Sequence, residues 1–354
     1  MLSNRNIFIR KRGWISLLTL ALIVLFTSCS DGGKNKPDVS GISIDVKVHR
    51  FDQDFFSLDT TRVVEGLEAL QKKHPGFLPI YFEYLSPINF IMYREGKPYN
   101  VAVMEYFRNI KPLYDSVNKK YPSFDKFEKD LEHQLRYVKH YFPDFKTPAV
   151  YTTVESLNPE NKEEIYGALY FRDTLVISLQ MFMGKDFQAY DPTLYYDYLR
   201  RRLEPEYIVP NSLRAIAVGI YPDPEHARLI ELMVEKGKQW WLLDKFMPDA
   251  HDSLKTGYTG KQIEWCNENE GNIWNAILQS TPDIYTQDME RIQNYIGEAP
   301  RTMDMPEESP GNIGQWVGWQ IVKKFEEKNP SMTIEEILKT PPDKIFQESK
   351  YKPK

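Results

Sequence analysis

The side chain with the clearest chemistry in this sequence is the thiol of Cys29. It follows Leu25-Phe26-Thr27-Ser28, which close an apolar run beginning at Trp14, and Arg5, Arg10, Lys11 and Arg12 precede that run. A basic stretch, a short apolar segment and small residues before a cysteine form the pattern of a bacterial lipoprotein signal. The apolar run is shorter than the roughly 20 residues that a membrane-spanning helix needs. The expectation is cleavage before Cys29 and attachment of the lipid to its thiol, with palmitate among the attached chains. Each buried methylene adds about 0.8 kcal/mol, so several chains hold far more firmly than one. Ser30, rather than Asp, follows the cysteine, a choice that favours delivery to the outer membrane.

No second constellation is as clear. The histidines are His49, His74, His133, His140, His226 and His251, and no His-Glu-x-x-His string occurs. Two imidazoles one helical turn apart can grip zinc together. His133 and His140 stand two turns apart, about 10 Å along a helix axis, too far for one ion. Glu225-His226 with Glu231 is a looser grouping. No Gly-x-Ser-x-Gly elbow is present, and Cys266 lacks the flanking residues of a cysteine nucleophile. Its expected place is the core, as a small hydrophobe. Glu264, Glu268 and Glu270 surround Trp265 and Cys266 and read as a hydrated helix face. Gly311, Gly314 and Gly318 lack the lysine and the preceding strand of a phosphate loop. No catalytic residue, metal ligand or cofactor site is assigned, and a small-molecule ligand stays open.

The glycines point instead to packing. Gly314 and Gly318 fall on one face of an expected helix, with Trp316 and Trp319 beside them. Glycine inside a helix costs about 1 kcal/mol relative to alanine. Close helix–helix approach would offset that cost within the domain. A contact patch for a partner, made by Gly314, Trp316, Gly318 and Trp319, is the sharper alternative. All six tryptophans beyond the signal lie between Trp240 and Trp319, which places a dense aromatic core in the C-terminal half.

The whole chain has 354 residues and a formal charge of −5. Removing residues 1–28 takes away four basic side chains and no acidic ones, leaving −9. Such a balance argues against nucleic acid, whose binding depends on neutralising phosphates. It also leaves anchoring at an anionic membrane to the lipid. Cys266 has no partner for a disulfide once Cys29 is acylated, so packing alone must stabilise the body.

The elements that would carry these groups follow from periodicity. Residues 29–40, with Gly32, Gly33, Lys34, Lys36 and Pro37, read as a lipidated flexible tether, and 41–354 as a single mainly helical α+β domain. Ile42, Ile44, Val46 and Val48 alternate with polar residues, a strand signal. Asp59 or Thr60 caps a helix with Val63, Val64, Leu67 and Leu70 on its inner face. Helices broken at Pro87, Pro98 and Pro112 follow, then a long one opened by Ser123 and stopped by Pro143. Ala149–Val154, Tyr166–Phe171 and Thr174–Leu179 read as strands, the last two joined by a tight turn at Arg172-Asp173. They predict a small antiparallel sheet in the first half. Thereafter helices are expected over Leu194–Leu203, Ser212–Ile220, Glu225–Phe246, Gly260–Leu278, Thr286–Ile296, Asn312–Lys328 and Thr333–Leu338.

Several strings resemble the gliding motility lipoprotein GldB family of Bacteroidota. They are the lipoprotein start, Ile44-Asp45-Val46 with Phe51-Asp52, and Gln180-Met181-Phe182-Met183-Gly184-Lys185-Asp186 before Tyr190. Glu235-Lys236-Gly237-Lys238 and Leu243-Asp244-Lys245-Phe246-Met247-Pro248 continue it. The most specific part runs from Ser309-Pro310-Gly311-Asn312-Ile313-Gly314 through Gln315-Trp316-Val317-Gly318-Trp319 to Gln320-Ile321-Val322. The resemblance implies a motility-associated envelope lipoprotein, linked through that machinery to type IX secretion, with no established enzymatic activity. It does not imply that the source cell glides. A remoter similarity, in the order of elements, is to zincin-type peptidases. It implies a degenerate zincin-like scaffold, because Asn211-Ser212-Leu213-Arg214-Ala215 carries no histidine, with Glu235 and Gly237 in the later helix.

The leading expectation is therefore a non-enzymatic lipoprotein of the cell envelope. It is held to the outer membrane by Cys29, faces the periplasm, and works through protein partners. A periplasmic hydrolase with a cryptic metal or carboxylate site, and a cell-wall glycan-binding module, are the alternatives.

Overall fold

Alternation in the first segment is realised as burial rather than as a long strand. In the computed structural model, which describes residues 36–157, 166–224, 227–281 and 283–353, Ile44 and Val46 are buried and their neighbours exposed. Only Val48–His49 (β1) enters a sheet. Arg50 leads into the short helix α1 (Phe51–Phe56), and Asp59 accepts from the backbone and hydroxyl of Thr61 to turn the chain into α2 (Val63–Lys73). Leu67 and Leu70 face inward as the spacing requires, but Val64 is exposed.

After α3 (Phe77–Ile80) comes a π-helical turn, Tyr81–Leu85, then α4 (Ile88–Glu95) and α5 (Tyr99–Lys120). Pro87 and Pro98 stand at helix starts as expected. Pro112 does not break the chain; it lies inside the 22-residue α5. A mid-helix proline costs about 3 kcal/mol. Here buried residues on both sides of it, Val103, Tyr106 and Phe107 before, Tyr114 and Val117 after, keep the helix whole. α6 (Asp125–Tyr141) buries Leu131, Leu135 and Val138 and ends before Pro143.

The sheet is mixed, in the order β1-β2-β4-β3. β2 (Ala149–Thr153) runs parallel to both β1 and β4 (Thr174–Ser178), and only the β3 (Ala168–Phe171)–β4 hairpin is antiparallel. The sequence shows the hairpin because Arg172 and Asp173 make the turn, both at positive φ. It does not show that the chain returns from the edge strand β3 to lay β4 alongside β2. Residues 150–153 are buried on both faces, as central parallel strands are.

The C-terminal half is helical. After the turn helix α7 (Asp197–Arg200) come α8 (Ile208–Ile220) and α9 (Leu229–Phe246). They are followed by α10 (Asp252–Thr256), α11 (Gly260–Glu268) and α12 (Glu270–Ser280). The last four are α13 (Met289–Ile296), α14 (Ile313–Lys328), α15 (Ile334–Lys339) and α16 (Pro342–Ser349). The single helix expected over 260–278 divides at Asn269 into α11 and α12. The final helix, α16, goes beyond the sequence expectation. α8 packs on β3, where a Cβ on Gly219 would meet the Tyr170 ring at 2.4 Å. α9 and α14 form the most extensive helix pair. Trp240, Trp241, Trp316 and Trp319 are fully buried at this end, and Phe51, Phe55, Tyr81 and Tyr106 at the other. Val39–Lys354 is one unit. Among the described residues no helix is long and apolar enough to cross a membrane.

Candidate functional site

A dense polar cluster gathers around Arg202, just past α7. Its side chain is 4% exposed, and Nη1 donates to Glu298 Oε1 at 2.9 Å and to the Tyr166 hydroxyl at 3.1 Å. The Tyr166 hydroxyl donates to the same oxygen at 2.6 Å, and Asn312 Nδ2 at 3.0 Å. Tyr258 closes the network, its one hydroxyl proton shared between the Gly311 carbonyl and Asn312 Oδ1. Asn211, in α8, donates to the Tyr166 carbonyl at 2.8 Å. The guanidinium carbons of Arg202 and Arg214 stand 5.4 and 5.2 Å from the Tyr166 ring centroid, within range of a cation–π attraction.

Backbone geometry builds this cluster. Asn312 has φ +47° and leads into α14, turning its amide toward Glu298. Gly257 has φ +74°, and a Cβ there would lie 2.0 Å from Arg202 Nε. Only glycine meets both demands. Burial pushes the Glu298 carboxyl up, but Arg202's charge and the hydrogen bonds from Arg202 and Tyr166 outweigh it and hold the group at about 2. Burial raises the Tyr166 hydroxyl to about 12, with Glu298 adding to the effect. An acid so far below neutrality makes a poor general acid or base. The cluster is suited to holding charge in place rather than to moving protons.

A second cluster lies at the carboxyl ends of the parallel strands β2 and β4, where open α/β sheets place their ligands. Gln180 Nε2 donates to Glu155 Oε2 at 2.5 Å. Tyr81 donates to the Val154 carbonyl at 3.0 Å, with the Tyr106 hydroxyl 3.0 Å from its own. Burial pushes the Glu155 carboxyl up, against the pull of the Gln180 hydrogen bond. Gln180 begins the third of the strings quoted above, and Asp52 belongs to the second. Asp52 is 1% exposed, gripped by Arg50 at 3.0 and 2.8 Å and by the Thr152 hydroxyl at 2.6 Å.

The residues singled out in the sequence are placed as follows. Cys29 lies outside the described residues, as do Glu225 and His226. Gly314, Trp316, Gly318 and Trp319 are all buried, so they offer no patch to a partner. They form the packing seam that was the other reading. A Cβ on Gly318 would fall 1.6 Å from the Met233 carbonyl oxygen, and one on Gly314 would fall 2.9 Å from that of Tyr295. Trp319 donates to Asp244 at 2.7 Å inside the fold. His133, His140, Glu264 and Glu268 are exposed, and Glu270 accepts from Tyr351 at 2.9 Å. Cys266 is buried, and burial pushes its thiol well up. Asn211 and Glu235 serve separate networks, Glu235 pairing with the buried Lys238 at 3.2 Å. Among the described residues no three His, Cys, Asp or Glu side chains are grouped so as to hold a metal ion. The arginine cluster escaped the sequence reading. Its visible signal is the run Arg200-Arg201-Arg202 in a net acidic chain, together with Asn312 inside the most specific string.

Fold and site together define a predominantly helical α+β body in which Arg202–Glu298, Arg50–Asp52 and Lys238–Glu235 are buried ion pairs. The sequence matches the family described as gliding motility protein GldB over residues 32–353. The chain belongs to that family. No curated protein and no solved structure matches it.

Proposed function

We propose that this protein is a lipid-anchored component of the outer membrane that faces the periplasm and supports the gliding machinery and its associated secretion by binding envelope partners, without catalysis of its own. The observation that carries the reading is the span of the family match, which begins three residues after Cys29 and runs almost to the last residue. The body is thus of the motility family, and the signal-like segment ahead of it supplies the anchor. The state of the buried ionisable groups supports a binding role. Glu298 is fixed by Arg202, Asp52 by Arg50, and Lys238 by Glu235, Tyr221 and two carbonyls. Groups so committed rigidify a scaffold.

The test is replacement of the family member in a gliding host by this chain, with and without Cys29→Ser. The expected result is that the wild-type chain restores spreading and fractionates with outer membrane. The Cys29→Ser chain should persist as folded protein, leave that fraction and fail to restore spreading. Outer-membrane fractionation of the Cys29→Ser chain would overturn the anchor, and full spreading with the released form would overturn the need for it.

A further inference from the structure

Three guanidinium groups crowd the turn that ends α10. Arg201 donates Nε to the Gly257 carbonyl, Arg214 donates Nη2 to the Lys255 carbonyl, and Arg202 donates Nη1 to Glu298. Among the described residues the only carboxylate bonded to any of the three is Glu298, whose Oε1 already accepts from Arg202, Tyr166 and Asn312. The nearby acids are engaged elsewhere. Asp244 and Asp252 pair with Lys255, and Asp197 pairs with Arg200. Glu204 accepts from the Lys185 backbone. Beyond one carbonyl each, Arg201 and Arg214 have no hydrogen-bond partner among the described residues.

The cluster therefore holds two cations more than its one anion can balance. Partly burying a cation without a counter-charge is unfavourable. Burial, helped by the Arg202 charge, lowers Arg201 to about 10, and burial also lowers Arg214. Both residues are half-buried rather than fully buried. The planar fork of a guanidinium matches two oxygens of a carboxylate or phosphate at once.

We propose that Arg201 and Arg214, braced by Arg202, Glu298 and Tyr166, form a binding site for an oxyanion, the phosphate or carboxylate group of a small ligand. The bound group supplies the missing negative charge and ties the turn after α7 to the end of α10. Glu298 bonds Arg202 directly and makes no hydrogen bond to either outer arginine, which leaves their forks open to a ligand.

The test uses the full chain in a neutral detergent. Thermal unfolding is followed against inorganic phosphate, against succinate, and against sodium chloride at matched ionic strength. The expected result is a saturable rise of the midpoint with phosphate, succinate or both, absent with chloride; the more effective of the two names the ligand's group. The double change Arg201→Gln with Arg214→Gln should weaken that response at least tenfold, about 1.4 kcal/mol. Arg200→Gln, whose guanidinium pairs with Asp197, should leave it unchanged. If the double variant does not fold, Arg201→Gln alone serves, because it gives up one carbonyl bond and should show the same direction. Midpoints that follow ionic strength alone, or a saturable response that the arginine changes leave intact, would overturn the site.

Discussion

Gly237 and Gly318 meet backbone to backbone: a Cβ on Gly237 would lie 2.2 Å from the Gly318 carbonyl carbon. The contact lets α9 and α14 approach closely enough for Trp240 and Trp319 to cross edge to face at 6.0 Å, and for Trp319 to reach Asp244. Each glycine weakens its own helix by about 1 kcal/mol, and the packing between them offsets both losses.

Alanine at either position must push the two helices apart. Gly318→Ala and Gly237→Ala are each expected to cost about 3 kcal/mol, the upper end of overpacking, read as a lower urea midpoint. Gly260→Ala is the control, since nothing lies within 4 Å of its Cβ position, and it should be neutral or slightly stabilising. Equal midpoints for all three variants would mean the seam is not tight.

Glu298 ties its stability to pH. Its carboxyl is held at about 2 in the folded chain against an ordinary value of 4.5. A depressed acid contributes stability that is present above its unfolded value and lost as pH falls through its folded one. The contribution, about 3 kcal/mol, should be full above roughly pH 5 and gone near pH 2. Glu298→Gln should be destabilised by about 3–5 kcal/mol at neutral pH because Arg202 is left buried and unpaired. That deficit should shrink as the solution is acidified. A deficit constant across that window would contradict the assignment.

Asp52 offers a second buried pair whose loss is measurable. Asp52→Ala strands Arg50, 15% exposed, and removes the acceptor of Thr152. The expected loss is about 3–5 kcal/mol, with Asp52→Asn retaining part of it through neutral hydrogen bonds. Denaturant unfolding of the three proteins orders them directly, and a neutral Asp52→Ala would refute the pair's importance.

Thiol counting checks the anchor and the core together. Only Cys29 and Cys266 are present. With Cys29 acylated and Cys266 buried with its thiol pushed well up, the native mature protein should react with no equivalent of Ellman's reagent. In strong guanidinium it should react with one, because thiolate reactivity needs exposure. A reactive thiol in the native state would place either Cys29 unmodified or Cys266 at the surface.

Much of this molecule was legible in one dimension because the relevant forces act over a few residues. The family strings, the charge balance, the Arg172-Asp173 turn and the stripe Leu131, Leu135, Val138 all follow from local geometry and periodicity. Pro112 misled because its penalty is local while the packing that overrides it, on Tyr106 and Val117, is not. The strand signal over 42–48 is realised only at Val48–His49. The three later strands read correctly as segments, but which strands pair depends on the path of the chain between them, so a parallel β2–β4 pair could not be inferred. For Gly314 and Gly318, sequence determined that two helices approach closely; only the tertiary structure decided that the other helix is this chain's own α9. Arg201, Arg202 and Arg214 are the clearest instance. Their charges stand in the sequence, but the one carboxylate that bonds to any of them among the described residues is Glu298, which pairs with Arg202 from nearly a hundred residues on. An electrostatic balance depends on distance in space, which sequence separation does not record.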